Sequence, residues 1–151
     1  MLFPTASGVR ISRKKQTACG KQLKRKRQVI VHRKGATPAG KEVMGIIPGS
    51  MASPGFLVRG KGNAELLNSA AHGAGRVMSR AQANRSLNWK DTDRLLRKRA
   101  VTLMSAGLDE FPRVYKNIHD VMAAQTDLVD ILGEFNPRIV KMAPAGERPE
   151  D

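Results

Sequence analysis

The sequence predicts an α+β fold built from short strands and a few helices. Three observations point there. Apolar, β-branched runs such as Val29-Ile-Val31 and Ile46-Ile47 are cut short by Gly or Pro. In Asn117–Gln125, Ile118, Val121, Met122 and Gln125 follow i, i+3, i+4, i+7 spacing, which predicts a helix. Hydrophobic residues make up 40% of the chain but aromatics only 4%, so the core must come mainly from Val, Ile, Leu, Met and Ala. At 151 residues the chain is of ordinary size for one domain.

Residues 1–28 are polar, basic and aperiodic, with Lys14-Lys15 and Lys24-Arg-Lys-Arg27, and read as loop or disordered chain unrelated to the remainder of the sequence. Gln28–His32 reads as a short strand ended by Gly35 and Pro38. Gly45–Pro48 leads into a Gly49-Ser50 turn, and Phe56–Arg59 is a second strand closed by Gly60-Lys-Gly62. Gly73–Arg85 is expected to be helical, with its glycines in the first turn. Asp91 or Thr92 is expected to cap a helix running through Lys98. Val101–Met104, Leu128–Leu132 and Arg138–Met142 read as strands, the last two separated by Asn136-Pro137. The tail from Ala143 is polar and reads as loose chain.

Charge is unevenly spread. The formal net charge is +14, and residues 1–62 carry 14 Lys/Arg against the single acid Glu42. A basic surface attracts phosphates, so nucleic acid is the expected partner. The single cysteine, Cys19, excludes an internal disulfide and suits a reducing, cytoplasmic setting. No apolar run has the length of a membrane span, and no signal-peptide pattern opens the chain.

Gly55–Gly62 comes close to a P-loop and fails as one. Gly62 stands where a Ser/Thr hydroxyl must reach magnesium, and Phe56-Leu-Val58 reads as a buried strand. Metalloprotease, paired C-x-x-C and G-x-S-x-G patterns are absent. Three other elements carry chemistry. His32-Arg-Lys-Gly-Ala-Thr37 places an imidazole, two cations and a hydroxyl at a strand end, where they can meet phosphate oxygens. Pro48-Gly-Ser-Met51 is a tight turn whose amides can face an anion. His72-Gly-Ala-Gly-Arg-Val-Met-Ser-Arg80 follows a histidine with small residues and two arginines. Helical continuation would put Arg76 and Arg80 on the face of His72, where they would neutralise phosphates during nucleophilic attack. Each element alone is more often a turn, a solvated basic run or a packed histidine.

Their order resembles the RtcB family of RNA ligases. That family carries HRKGAT, IIPGSM and SHGAGR-x-MSR; here they read His32–Thr37, Ile46–Met51 and Ala71–Arg76 with Met78-Ser-Arg80. Tyr115-Lys-Asn-Ile118 resembles the later YKDI element, and Lys141 a near-terminal lysine. The resemblance covers residues 29–142 and implies the C-terminal part of an RtcB-like fold, with mostly antiparallel strands.

It also implies an activity. Family members join RNA 3′-phosphate or 2′,3′-cyclic phosphate ends to 5′-hydroxyl ends, in tRNA splicing or RNA repair, using GTP and manganese through a histidine-guanylate intermediate. By matching position His72 is the nucleophile. Pro48, Gly49, Ser50, Met51, Gly55, His72, Gly73, Ala74, Gly75 and Lys141 would surround the guanylate, and Lys34, Arg76 and Arg80 would hold phosphates. Gly55 and Ala71 stand where serines are common, so at Gly55 only a backbone contact is expected. The family's manganese ligands come from upstream segments, and the last of these would fall near Gln16-Thr17; Cys19 is in the wrong context to serve. No residue of this chain is therefore assigned to metal. The sequence leads us to expect a truncated ligase, inactive alone. The alternative is a non-catalytic basic RNA-binding fragment.

Overall fold

The computed structural model describes residues 31–144 together with the backbone of two strands, Val9–Lys15 (β1) and Leu23–Val29 (β2). The chain divides after Lys34 into two units. In the first, β1 and β2 pair antiparallel with Val9 opposite Val29 and Lys15 opposite Leu23. These strands lie in the segment read above as irregular, and β2 replaces the strand expected over Gln28–His32. Val31–Lys34 lies outside any strand. The tail beyond Pro144, Gln16-Thr17 and Cys19 lie outside the described residues.

The second unit is α+β. Ala36–Pro38 (β3) pairs antiparallel with Ser69–Ala71 (β6). Met44–Pro48 (β4), Gly55–Gly60 (β5) and Val129–Phe135 (β8) form an antiparallel three-stranded sheet in the order β4-β5-β8. Thr102–Ser105 (β7) and Ile139–Lys141 (β9) pair in parallel. Helices cover Arg80–Ser86 (α1), Trp89–Lys98 (α2) and Ile118–Ala123 (α3), with two 3-10 turns at Leu108–Glu110 and Pro112–Val114. No helix among the described residues is long and apolar enough to cross a membrane.

Strand alternation sorts the three-stranded sheet into two faces. Ile47, Phe56, Val58 and Val129 are buried and meet Ile118 and Met122 of α3 and the alanines Ala39, Ala70 and Ala74. The register sets Ile46 opposite Leu57 on the other face, where both are exposed. A second core gathers Met51 and Ala52 with Ala83 of α1, Leu96 of α2, Val101, Ala106, Phe111 and Val114; Leu103, Val140 and Met142 pack against it. Tyr115 touches both cores.

Two helix expectations need correction. The helix expected over Gly73–Arg85 begins only at Arg80, because Ser79 is extended and its side chain accepts the Gln82 amide, and Gly75 has φ +73°. His72, Arg76 and Arg80 therefore share no helical face. The cap of α2 is Asn88, not Asp91 or Thr92. Its Oδ1 accepts the Asp91 amide at 3.1 Å and its Nδ2 donates to the Asp91 carboxylate at 3.1 Å, so Asp91 closes the first turn instead of opening it.

At Gly60 the sheet meets the Ala39-Gly40 backbone. A Cβ there would lie 2.6 Å from the Ala39 carbonyl oxygen and press on the Gly40 carbonyl as well. Backbone cannot move aside as a side-chain tip can. We expect Gly60→Ala to destabilise the fold by about 3 kcal/mol, read as a lowered urea midpoint at unchanged slope. A change below about 0.5 kcal/mol would disprove the close approach.

Candidate functional site

The site grows from two strand ends. β4 ends at Pro48 and β6 ends at Ala71, directly before His72. The Ala74 amide donates to the Pro48 carbonyl at 3.2 Å, and this single bond joins the Pro48–Met51 turn to the His72–Gly75 turn. The Ala71 amide donates to the Gln125 side chain at 2.9 Å, which fixes the last strand residue before the histidine. His72 itself is exposed. The Gly73 and Gly75 amides of the same turn make no backbone hydrogen bond among the described residues. Gly75 has open space where a Cβ would be, and its φ of +73° favours glycine.

The expected guanylate-binding residues separate by role. Pro48 is exposed, Gly49 and Ser50 are half-buried, and the Ser50 hydroxyl lies 2.8 Å from that of Ser53 across the turn. Met51 is 2% exposed and Ala74 4%, so their side chains belong to the two cores and only their backbones can face a ligand. Gly55 is buried beneath Phe135: a Cβ there would lie 2.5 Å from Cζ of that ring. Lys141 is exposed on β9, while its neighbours Val140 and Met142 pack on the same core as Met51. Lys34 is the last residue of the first unit and keeps its assignment from the motif alone.

Arg76 and Arg80 both donate to protein groups, Arg76 through all three guanidinium nitrogens and Arg80 through Nη1 alone. Arg76 donates from Nη2 to the Asp109 carbonyl at 2.6 Å, from Nη1 to Glu110 Oε1 at 3.4 Å and from Nε to its neighbour Met78 at 3.4 Å. Its guanidinium lies 5.5 Å from the Tyr115 ring centroid. Arg80 Nη1 donates to Asp109 Oδ2 at 2.5 Å and to Glu110 Oε1 at 2.8 Å. Tyr115 donates a short hydrogen bond to Glu110 Oε2. Two cations thus face two carboxylates, and the quartet is neutral. The Asp109 hydrogen bond holds the Arg80 guanidinium above its usual range, against a smaller opposing effect of burial. Asp109 and Glu110 were not singled out from the sequence. Two adjacent acids before Phe-Pro, in a 3-10 turn far along the chain from His72, carry no pattern that would reveal them.

Manganese finds no home in these residues. A metal centre needs about three protein donors, and no group of three His, Cys, Asp or Glu side chains gathers among the described residues. His119 packs edge-on against Phe56, with centroids 5.6 Å apart.

A family model described as tRNA-splicing ligase RtcB matches residues 13–142. The chain belongs to the RtcB family. It is 44% identical over 112 residues to an Escherichia coli protein named RNA-splicing ligase RtcB1, covering 74% of this chain and 28% of that relative. To the RNA-splicing ligase RtcB of Escherichia coli K12 it is 45% identical over 105 residues, covering 70% of this chain and 26% of the relative. To the tRNA-splicing ligase RtcB of Nanoarchaeum equitans it is 35% identical over 134 residues, with 75% and 28% covered. The chain thus spans just over a quarter of the length of these RtcB relatives. The α+β architecture with mostly antiparallel strands is the one the motifs led us to expect of an RtcB segment.

The acid–base quartet makes Tyr115, the only tyrosine in the chain, a spectroscopic probe. Burial, then the hydrogen bond to Glu110 and its negative charge, push the phenol well above its ordinary value of 10.0. A raised folded-state value stabilises the fold below the ordinary range, and that contribution is lost as pH rises through the raised value. Tyrosinate absorbance in the native chain should therefore fail to appear near pH 10.0. Glu110→Gln should bring it back toward that range; a native titration at the ordinary value would refute the buried Tyr115–Glu110 contact.

Proposed function

We propose that this chain is the guanylate-accepting part of an RtcB-type RNA ligase, with His72 as the nucleophile. The observation that carries the reading is the junction at Pro48: the Ala74–Pro48 hydrogen bond sets two motif turns side by side, with an exposed imidazole and two glycine amides in the second turn. An imidazole nitrogen of His72 attacks the α-phosphorus of GTP. The bond to the bridging oxygen breaks, pyrophosphate leaves, and GMP stays on the ring as a phosphoramidate. In this reading the Gly73 and Gly75 amides donate to phosphoryl oxygens as charge develops. GMP then passes to an RNA 3′-phosphate, and a 5′-hydroxyl displaces it to close the phosphodiester. Pro48, Gly49 and Ser50, with the backbones of Met51 and Ala74, flank the nucleotide. Lys34, Arg80 and Lys141 are the cations this reading assigns to its phosphates. Arg76, engaged on three sides by protein, serves as an anchor instead.

The donor set does not fit manganese, so the reading requires the metal ligands to come from polypeptide outside the described residues. A second role is favoured by the first unit. Its two paired strands carry Arg10, Arg13, Lys14 and Lys15 on one and Lys24, Arg25, Lys26 and Arg27 on the other, with no acidic residue in either. A basic surface of this density attracts the phosphates of an RNA backbone, so this ribbon is read as a basic RNA-binding element of the same protein, acting in the cytoplasm.

Labelling with α-32P-GTP and manganese tests the nucleophile. The chain alone should give no adduct. A chimera of the Escherichia coli K12 ligase, its matching 105-residue region replaced by this chain, should give an acid-labile band that His72→Ala lowers by roughly three orders of magnitude or more. Labelling that survives His72→Ala refutes the assignment; a His72-dependent band from the chain alone refutes the need for outside metal ligands. For the ribbon, RNA affinity should fall steeply as salt rises, and replacing Arg13, Lys14, Lys24 and Arg25 by Gln should flatten the slope by about 3 (about 0.7 per phosphate contact on single strands). An unchanged slope argues against the ribbon.

A further inference from the structure

Glu110 is a buried carboxylate, 9% exposed, with both oxygens engaged. Oε1 accepts from Arg76 and Arg80, and Oε2 accepts from Tyr115. Its three partners all belong to one seam. Arg76 and Tyr115 form an antiparallel bridge. Through it the Val77 amide donates to the Val114 carbonyl at 2.7 Å, and the Lys116 amide to the Gly75 carbonyl at 3.0 Å. The stretch from Gly75 to Arg80 is therefore tied by backbone on one side and by the carboxylate on the other. It has no helix to order it before Arg80 and contains a left-handed glycine. Such a segment holds its shape only through contacts made from outside itself. His72 lies three residues upstream of Gly75, and the intervening turn is fixed by the Ala74–Pro48 bond.

We propose that Glu110 is a positioning residue: by holding Arg76 and Tyr115 together it fixes the turn that presents His72. Its chemistry suits the task. A buried carboxylate left without donors is costly, so the arginines and the phenol are drawn to it and kept there. Arg76 donates to the Glu110 carboxylate and to the Asp109 carbonyl together, which makes it a tether between the two stretches. Arg80, whose side chain is 46% exposed, remains the cation able to reach outward. The catalytic meaning of this role rests on His72 being the nucleophile; the positional claim does not.

The test uses the full chain, carbon- and nitrogen-labelled, and reads the His72 ring by NMR. There are three histidines, so His72→Asn identifies the signal. Glu110→Gln should shift or double the His72 ring resonances and the Gly75 amide. It should speed hydrogen exchange at Val77 and Lys116 by about tenfold or more, while Phe56 and Val58 in the three-stranded sheet keep their protection. A His72 ring unchanged beside a released Tyr115 would overturn the proposal. If Glu110→Gln also exposes Phe56 and Val58, Tyr115→Phe and Arg76→Lys each remove one contact and decide instead: movement at His72 supports the proposal, and a still ring in both overturns it. In the labelling chimera, Glu110→Gln should reduce the adduct-forming rate at saturating GTP more than it raises the GTP concentration needed for half saturation. Absence of His72-dependent labelling in the unsubstituted chimera would count against the nucleophile and leave the NMR result to judge the positioning role.

Discussion

The seam between residues 75–80 and 109–116 is the constraint on which the site depends. Neither stretch is ordered by regular structure of its own. The first is an extended passage between β6 and α1, and the second is a pair of 3-10 turns. They hold each other through one β-bridge and one buried carboxylate. Tyr115 sits where this seam crosses from one hydrophobic core to the other. Loss of the seam would therefore remove one of the links between the two cores as well as loosen the histidine turn. Polar groups seldom carry so much of a small fold, and here they do so because both oxygens of Glu110 have donors.

The two cores divide the labour around that seam. The first, between the three-stranded sheet and α3, holds β4 and β6 so that their ends emerge together. The second, built around α1, α2 and the β7–β9 pair, buries Met51 and so anchors the far side of the Pro48 turn. The turn is pinned at both ends: by Ile47, fully buried on the strand side, and by Met51. Its middle, Gly49-Ser50, is left half-exposed. A ligand-facing loop with buried ends and an open centre needs little ordering when something binds.

Much of this was legible in the sequence, for physical reasons that differ by element. β4 and β5 showed themselves as apolar runs bounded by Gly and Pro, and α3 by a spacing whose Ile118 and Met122 prove to be buried. The motif order placed Pro48 and His72 in one site, and the Ala74–Pro48 bond shows the two turns to be neighbours. The stretch after His72 misled because Arg76 and Arg80 lie at helical spacing while the backbone between them is not helical. A glycine at positive φ and a serine cap reset the helix start, and spacing alone is blind to both. Asp109 and Glu110 escaped notice for another reason. Their importance comes from what a distant part of the chain brings to them, and a pattern read along the chain carries no trace of that. The parallel pairing of β7 with β9 was hidden in the same way, since strands of three or four residues carry too little alternation to declare a partner.

The neutrality of the Arg76, Arg80, Asp109 and Glu110 quartet has a bearing on how this sequence can change. Positive charge is concentrated in residues 1–62, whereas the charges of the quartet cancel among themselves. Attraction and local architecture are thus written in different residues. A lysine gained or lost in the β1–β2 stretch breaks no contact of the quartet. A single change in the quartet leaves a buried charge without its counterpart. The two inventories should accordingly tolerate variation at very different rates, the quartet least of all.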